Sequence, residues 1–171
     1  ERLNIMLSGL MEEELMTLSD GIKKSTSLRD LYFNEDQLGP SEIMALSEIL
    51  KSNKSIEFIN LNYSQIGNEG IAALSEAFKV NNTFKEILLY DNEIEDEGMI
   101  ALSKALRINK KISMIDLGYN KINNNGIIAF SKALRVNRSL LEVNLESNNF
   151  GKKGITSLAE ALKYNKMMKS L

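Results

Sequence analysis

The sequence predicts an α/β solenoid, a stack of similar strand–helix units laid along one axis. Three observations predict it. The chain repeats every 28 residues without insertion or deletion, so that Leu28, Ile56, Phe84, Ile112, Leu140 and Met168 fall in one column. Each period opens on a short alternating apolar stretch, the spacing of a half-buried strand. Each then passes into apolar residues at i, i+3 and i+7, the spacing of one helix face. A unit of this size cannot bury its apolar face alone, and stacking neighbours supply the missing cover.

The unit that begins at Phe84 shows the elements in order. Ile87 to Tyr90 reads as a strand, with Ile87 and Leu89 turned inward and Glu86, Leu88 and Tyr90 turned to the other side. Asn92 follows, in a column shared by Asp36, Ser64, Asn120 and Asn148, short polar side chains that bond nearby backbone as the chain leaves the strand. Stacked side chains of this column are expected to satisfy buried backbone groups between neighbouring units, each at about 1 kcal/mol net.

Asp96, with Asn68 and Asn124 in its column, precedes a helical pattern and predicts an N-terminal cap, a rule that Lys152 breaks. The helix places Met99, Leu102 and Leu106 on one face, and the face recurs as Ile71, Leu74, Phe78, as Ile127, Phe130, Leu134 and as Ile155, Leu158, Leu162. Small residues such as Ala101 and Ala105 let adjacent helices approach closely. Each helix ends on a base (Lys51, Lys79, Arg107, Arg135, Lys163), which suits the negative end of its dipole. Two residues later comes Asn53, Asn81, Asn109, Asn137 or Asn165, read here as a helix stop in the left-handed conformation. A further basic column, Lys54, Lys110, Arg138 and Lys166, is read as solvated helix ends.

Composition excludes several classes. A formal net charge of -2 offers no bulk basic surface for nucleic acid or membrane. The chain has no His and no Cys, which removes His-based triads, cysteine nucleophiles and the usual zinc ligand sets, so no enzyme activity, metal or cofactor is expected. The lack of Cys also points to a reducing compartment, cytoplasm or nucleus. Sequons at Asn53, Asn62, Asn81 and Asn137 are read as structural, because three of them sit on the recurrent Asn column. The acidic run Asp91, Glu93, Glu95, Asp96, Glu97 lacks calcium-loop spacing, and Glu12, Glu13 and Glu14 suit the first turn of a helix. No phosphate loop follows Gly67 or Gly70.

The pattern L-x-x-L-x-L-x-x-N, then I-x-x-x-G, then A-L-x-x-A-L-x-x-N, is explicit in IEFINLNYSQIGNEGIAALSEAFKVN from Ile56 and FKEILLYDNEIEDEGMIALSKALRIN from Phe84, with a third copy from Ile112. It resembles the leucine-rich repeats of the ribonuclease-inhibitor class, which also includes the Ran GTPase-activating protein and the sensor regions of NOD-like receptors. The resemblance implies a right-handed αβ horseshoe with parallel strands on the concave face and helices on the convex face. Residues 1–171 then form one solenoid: a degenerate unit at 1–27, full units at 28–55, 56–83, 84–111, 112–139 and 140–167, and the start of another at 168–171. Leu3, Ile5, Ser8, Leu10, Leu15, Leu18 and Ile22 fall on repeat columns of the first unit. Glu42 and Glu14 replace the motif glycine, and the lack of a capping module or initiator Met marks the chain as part of a longer protein or one end of an assembly.

The concave face is expected to present Asp30, Tyr32, Asn34; Phe58, Asn60, Asn62; Glu86, Leu88, Tyr90; Met114, Asp116, Gly118; and Glu142, Asn144, Glu146. Five of these are acidic and none is basic. Phe58, Leu88, Tyr90 and Met114 should make an exposed apolar patch, with Tyr63 and Tyr119 on the adjoining rim. The expected partner-binding residues are therefore Tyr32, Phe58, Tyr63, Glu86, Leu88, Tyr90, Met114, Asp116, Tyr119, Glu142 and Glu146, and the expected partner is a protein with a basic or mixed basic and apolar surface. Two alternatives remain: regulation of a small GTPase of the Ran type, for which no arginine matches that family's functional motif and Arg29 alone is a weak candidate, and a structural spacer in a cytoskeletal or ciliary assembly.

Overall fold

A computed structural model describes residues 1–7, 9–33, 35 and 37–171, with Glu12 described in its backbone only. Ser8 of the repeat columns, Asn34 of the expected concave face, Asp36 of the turn column and the Glu12 side chain lie outside the described residues. Among the described residues strand and helix alternate: β1 (Arg2–Asn4), α1 (Glu12–Lys24), β2 (Asp30–Tyr32), α2 (Pro40–Ser52), β3 (Phe58–Asn60), α3 (Gly67–Val80), β4 (Glu86–Leu88), α4 (Asp96–Ile108), β5 (Met114–Asp116), α5 (Asn124–Leu134), β6 (Glu142–Asn144) and α6 (Lys152–Tyr164). The strands form one parallel sheet in chain order, each residue facing its copy one period away, as in Leu3, Leu31, Ile59, Ile87, Ile115 and Val143. Past β6, Ser170 pairs in parallel with Glu142.

Each strand is short. The expected Ile87–Tyr90 strand is observed at Glu86–Leu88, because the chain turns into the left-handed region at Asp91, φ 50°. Between sheet and helices lies one core. Ile87 and Leu89 from the strand side meet Met99, Leu102 and Leu106 from the helix side, all fully buried, and each such side chain contributes roughly 1.5–3 kcal/mol. The same helix face is buried in α3 and α5. In α6 it is not: Ile155 is 57% exposed, whereas its copies Ile71, Met99 and Ile127 are covered. The reason is stacking, since the residue that covers this column is the glycine of the following unit. A Cβ at Gly98 would stand 2.6 Å from Ile71 Cγ2, and Ile155 has no such neighbour among the described residues.

Two ladders of asparagine run through the stack. Asn92 Nδ2 donates to the Leu61 carbonyl of the preceding unit (2.7 Å), and its Oδ1 accepts from the Ser64 and Ile66 amides. Asn120 repeats the pattern on Leu89, Asn92 and Ile94. The second ladder corrects an expectation. Asn53, Asn81, Asn109 and Asn165 have φ of -65°, -80°, -64° and -85°, so these helices do not stop in a left-handed residue. Instead each buried amide holds the previous helix end. Asn109 Nδ2 donates to the carbonyls of Phe78 (2.7 Å) and Asn81 (2.9 Å), while Oδ1 accepts from the amides of Lys111 and Ile112. Burial leaves no solvent to replace these partners, which is why Asn is needed where a left-handed residue is not. The same burial takes Asn53, Asn81 and Asn137 out of reach as sequons. The neighbouring bases close their own helix ends, with Lys110 Nζ on the Arg107 carbonyl and Arg138 on that of Arg135.

The helix caps also differ from the expected arrangement. Asp96, Asn68 and Asn124 do cap helices, but the helix of the next unit rather than their own. Asn68 Oδ1 accepts from Glu95 N (2.9 Å) and Gly98 N (3.0 Å) at the start of α4. Asp96 does the same for Asn123 and Gly126 of α5, and Asn124 for Gly151 and Gly154 of α6. The motif glycine is thereby explained twice over. A Cβ at Gly98 would lie 2.7 Å from Asn68 Oδ1 as well as against Ile71. At α1, where Glu14 replaces that glycine, its carboxylate accepts from Met11 N (2.9 Å) and caps its own helix.

Candidate partner-binding face

The outward positions of the strands form two rows set by the sheet register. One row runs Arg2, Asp30, Phe58, Glu86, Met114, Glu142, alternating charged and apolar beyond the first residue. The other runs Asn4, Tyr32, Asn60, Leu88, Asp116, Asn144. Neighbouring strands lie about 4.8 Å apart, so successive carboxylates of the first row are separated by roughly 10 Å with an apolar side chain between them. Tyr32, Phe58, Leu88, Met114 and Asp116 are half-buried, and Glu86, Glu142 and Glu146 are exposed.

Ring contacts gather the aromatics into two groups. Tyr32 lies 5.1 Å from Phe58, centroid to centroid. Over the outer face of Tyr32 sits the Arg2 guanidinium, 4.6 Å from the ring centroid, with its Nε 3.9 Å from Asp30. The second group is Tyr63, Tyr90 and Tyr119, with centroids 5.3 Å and 4.8 Å apart in sequence. Tyr90 is half-buried in the middle, and Tyr63 and Tyr119 are 48% and 49% exposed. Desolvation, then the neighbouring phenols of Tyr119 and Tyr63, push the Tyr90 hydroxyl up to about 12. It therefore stays neutral, a hydrogen-bond donor, throughout the physiological range.

Asp116 is less free than its row suggests. Its Oδ1 accepts from Gly118 N (2.9 Å) and Asn144 Nδ2 (3.0 Å), so one oxygen is spent holding the turn after β5. Asn62 Oδ1 similarly accepts from Tyr90 N and fixes the backbone under the ring.

Three features of this face escaped the sequence reading. Arg2 belongs to the first row, a position hidden because the degenerate first unit was aligned on its apolar residues alone. Positive φ recurs at Glu35, Tyr63, Asp91, Tyr119 and Ser147, one period apart and without a single glycine to signal it. The steric role of Gly118, a residue already expected on this face, is the third. A Cβ there would stand 3.0 Å from Tyr90 Cδ2 and 2.8 Å from Asn144 Nδ2, so its absence is what leaves room for the Tyr90 ring.

The repeat geometry has a counterpart among known proteins. The model for "Leucine Rich repeat" matches residues 52–75, 80–103, 109–131 and 136–159, more than half of the chain. The chain belongs to the leucine-rich-repeat family. Among solved structures, this leucine-rich-repeat chain is similar to the tropomodulin C-terminal domain of Caenorhabditis elegans, with a TM-score of 0.74 at 18% identity over 89% of this chain and 93% of that one. It is similar also to leiomodin-1 Actin-Binding Site 2, with a TM-score of 0.69 at 16% identity over 92% and 90%. At these identities the likeness is one of fold. No curated protein matches the chain in sequence. Among the described residues no helix is long and apolar enough to cross a membrane.

Proposed function

We propose that the chain is a non-enzymatic protein-interaction module, a scaffold or sensor, that binds a partner protein on its strand-lined concave face. The observation that carries the reading is the composition of that face. Its strand positions from Asp30 to Glu146 hold five carboxylates and no base, Arg2 of β1 being the cation at one end of the row, and two groups of packed aromatic rings lie on these positions and the adjoining rim. Aromatic anchors set among mostly acidic charge favour a partner with apolar and basic side chains, because desolvated rings supply affinity and complementary charge supplies orientation. Leiomodin-1 uses the same fold in a segment named for binding actin, which supports a protein as the partner class. A cytoplasmic or nuclear setting fits the absence of Cys.

Arg29 counts against the GTPase-regulating alternative. Its Nη1 donates to the carbonyls of Thr26, Leu28 and Ser55, and an arginine held in that way is a structural tie. Affinity capture on the immobilised chain tests the proposal: Leu88→Ala and Tyr90→Ala should each lower retention of the captured protein at least about tenfold. Retention unchanged by either substitution, with the helices intact by circular dichroism, would move the binding site off this face.

A further inference from the structure

We infer that the cluster of Tyr63, Tyr90 and Tyr119 receives an arginine side chain of the partner protein, its guanidinium laid against the ring faces. This rests on the concave-face proposal above and names the chemistry that the face recognises.

The first support is conformational. Tyr63 and Tyr119 have φ of 58° and 53°, in the left-handed region that bulky L-residues avoid. The same column holds Asp91, a residue type that tolerates this conformation, so the fold does not require a tyrosine there. Nor does the core require it, since about half of each side chain is exposed. Two aromatic residues kept where backbone disfavours them and burial does not repay them point to a use on the surface.

The second support is steric. Tyr90 can lean toward Tyr119 because position 118 carries no Cβ, and Asn62 holds the Tyr90 amide from the other side. Three rings are thus brought to one rim from three successive units, a platform that no single unit contains.

The third support lies within the molecule. At the other end of the strand face Arg2 already stacks on Tyr32 beside Asp30, which shows that an aromatic ring with a strand carboxylate holds a guanidinium on this surface. The tyrosine cluster has the same ingredients without the cation: Glu146 is within electrostatic reach of the Tyr90 phenol, and the strand positions of units three to five are free of bases. Arginine is favoured over lysine because its planar, weakly hydrated group stacks on rings, whereas an ammonium is a strongly hydrated point charge.

Nuclear magnetic resonance titration provides the test, with a short blocked peptide of alternating arginine and leucine and its citrulline counterpart, which keeps the shape and removes the charge. The arginine peptide should shift the ring signals of Tyr63, Tyr90 and Tyr119 and bind at least about tenfold more tightly than the citrulline peptide. Tyr90→Ala and Tyr119→Ala should each weaken binding about fivefold to tenfold, whereas Tyr90→Phe, which keeps the ring, should stay within about twofold. Equal binding of the two peptides, unchanged affinity in Tyr90→Ala, or no ring shifts at all would each overturn the inference. If capture on the intact face still responds to Leu88→Ala in any of these cases, the concave-face proposal stands and only arginine recognition falls.

Discussion

The entry to α3 and the entries to α4, α5 and α6 are built on nearly the same repeat text, yet they fold differently. The last three begin after extended residues, Glu95, Asn123 and Gly151, whose amides are held by the side chain of the preceding unit. The column that does this reads Asn68, Asp96, Asn124. For α3 the same column holds Pro40, which has no side-chain acceptor. There the chain instead enters through Ile66 in helical conformation and Gly67 at φ 62°, with the Gly67 amide on the Asn92 carbonyl of the following unit. The comparison teaches that a helix start in this stack belongs to the interface between units, and that its cap is decided one period upstream.

The comparison can be broken most directly at the element both regions share. Asn81→Ala and Asn137→Ala each leave two amides, one of them buried, and two carbonyls without the asparagine partner, Thr83, Phe84, Leu50 and Asn53 in one case and Ser139, Leu140, Leu106 and Asn109 in the other. Each should lower stability by more than about 3 kcal/mol in chemical denaturation, and the two should agree within about 1 kcal/mol. A much milder Asn81→Ala would mean that the N-terminal units differ in their interior and not only in their caps.

A smaller effect separates the glycines. Gly98→Ala pushes a methyl group into Ile71 Cγ2 and the Asn68 cap oxygen and should cost about 2–3 kcal/mol. Gly70→Ala meets Ile43 Cδ1 and Ile66 Cγ2 with no cap to displace, and about 1 kcal/mol is expected from the same denaturation midpoints. Equal costs would show that helix packing alone explains the motif glycine.

Removing the caps sharpens the point further. Asn68→Ala and Asp96→Ala should each cost about 1–2 kcal/mol and speed hydrogen exchange in the first turn of α4 or α5, leaving their own helices protected. Pro40→Ala should change stability by less than about 0.5 kcal/mol. Faster exchange in the mutated residue's own helix would refute capping across units. A small change of opposite sign is expected at the rim, where Tyr119→Gly relieves a left-handed tyrosine and should raise stability by up to about 1 kcal/mol while removing a ring of the proposed site. A thermal melt that shifts downward would show Tyr119 to be structural after all.

Much of this architecture was legible in the sequence because the signals are local and periodic. Ile87 and Leu89 read as inward strand residues, Met99, Leu102 and Leu106 as one helix face, and Asn92 as a keeper of buried backbone, and all are found so. The outward placement of Phe58, Leu88 and Met114 was legible for the same reason, since outward positions follow from alternation, but these side chains and Tyr90 are half-buried and not the exposed patch expected. What could not be read is the direction of a bond. Asn68 precedes a helix in sequence, but its side chain turns to the next unit, and no spacing along the chain distinguishes those two targets. The exposure of Ile155 likewise depends on a neighbour that its own unit does not contain.

The sequence by itself determined the unit: its length, the order of strand and helix, the inward residues and the recurrent asparagines, because strand and helix periods and turn chemistry act within a few residues. Tertiary structure alone decided which unit each polar side chain serves, where Tyr63, Tyr90 and Tyr119 meet, and that the Tyr63 and Tyr119 backbones take a left-handed turn. Those outcomes depend on the register between units one period apart, where a shift of a few tenths of an ångström exchanges a hydrogen bond for a clash.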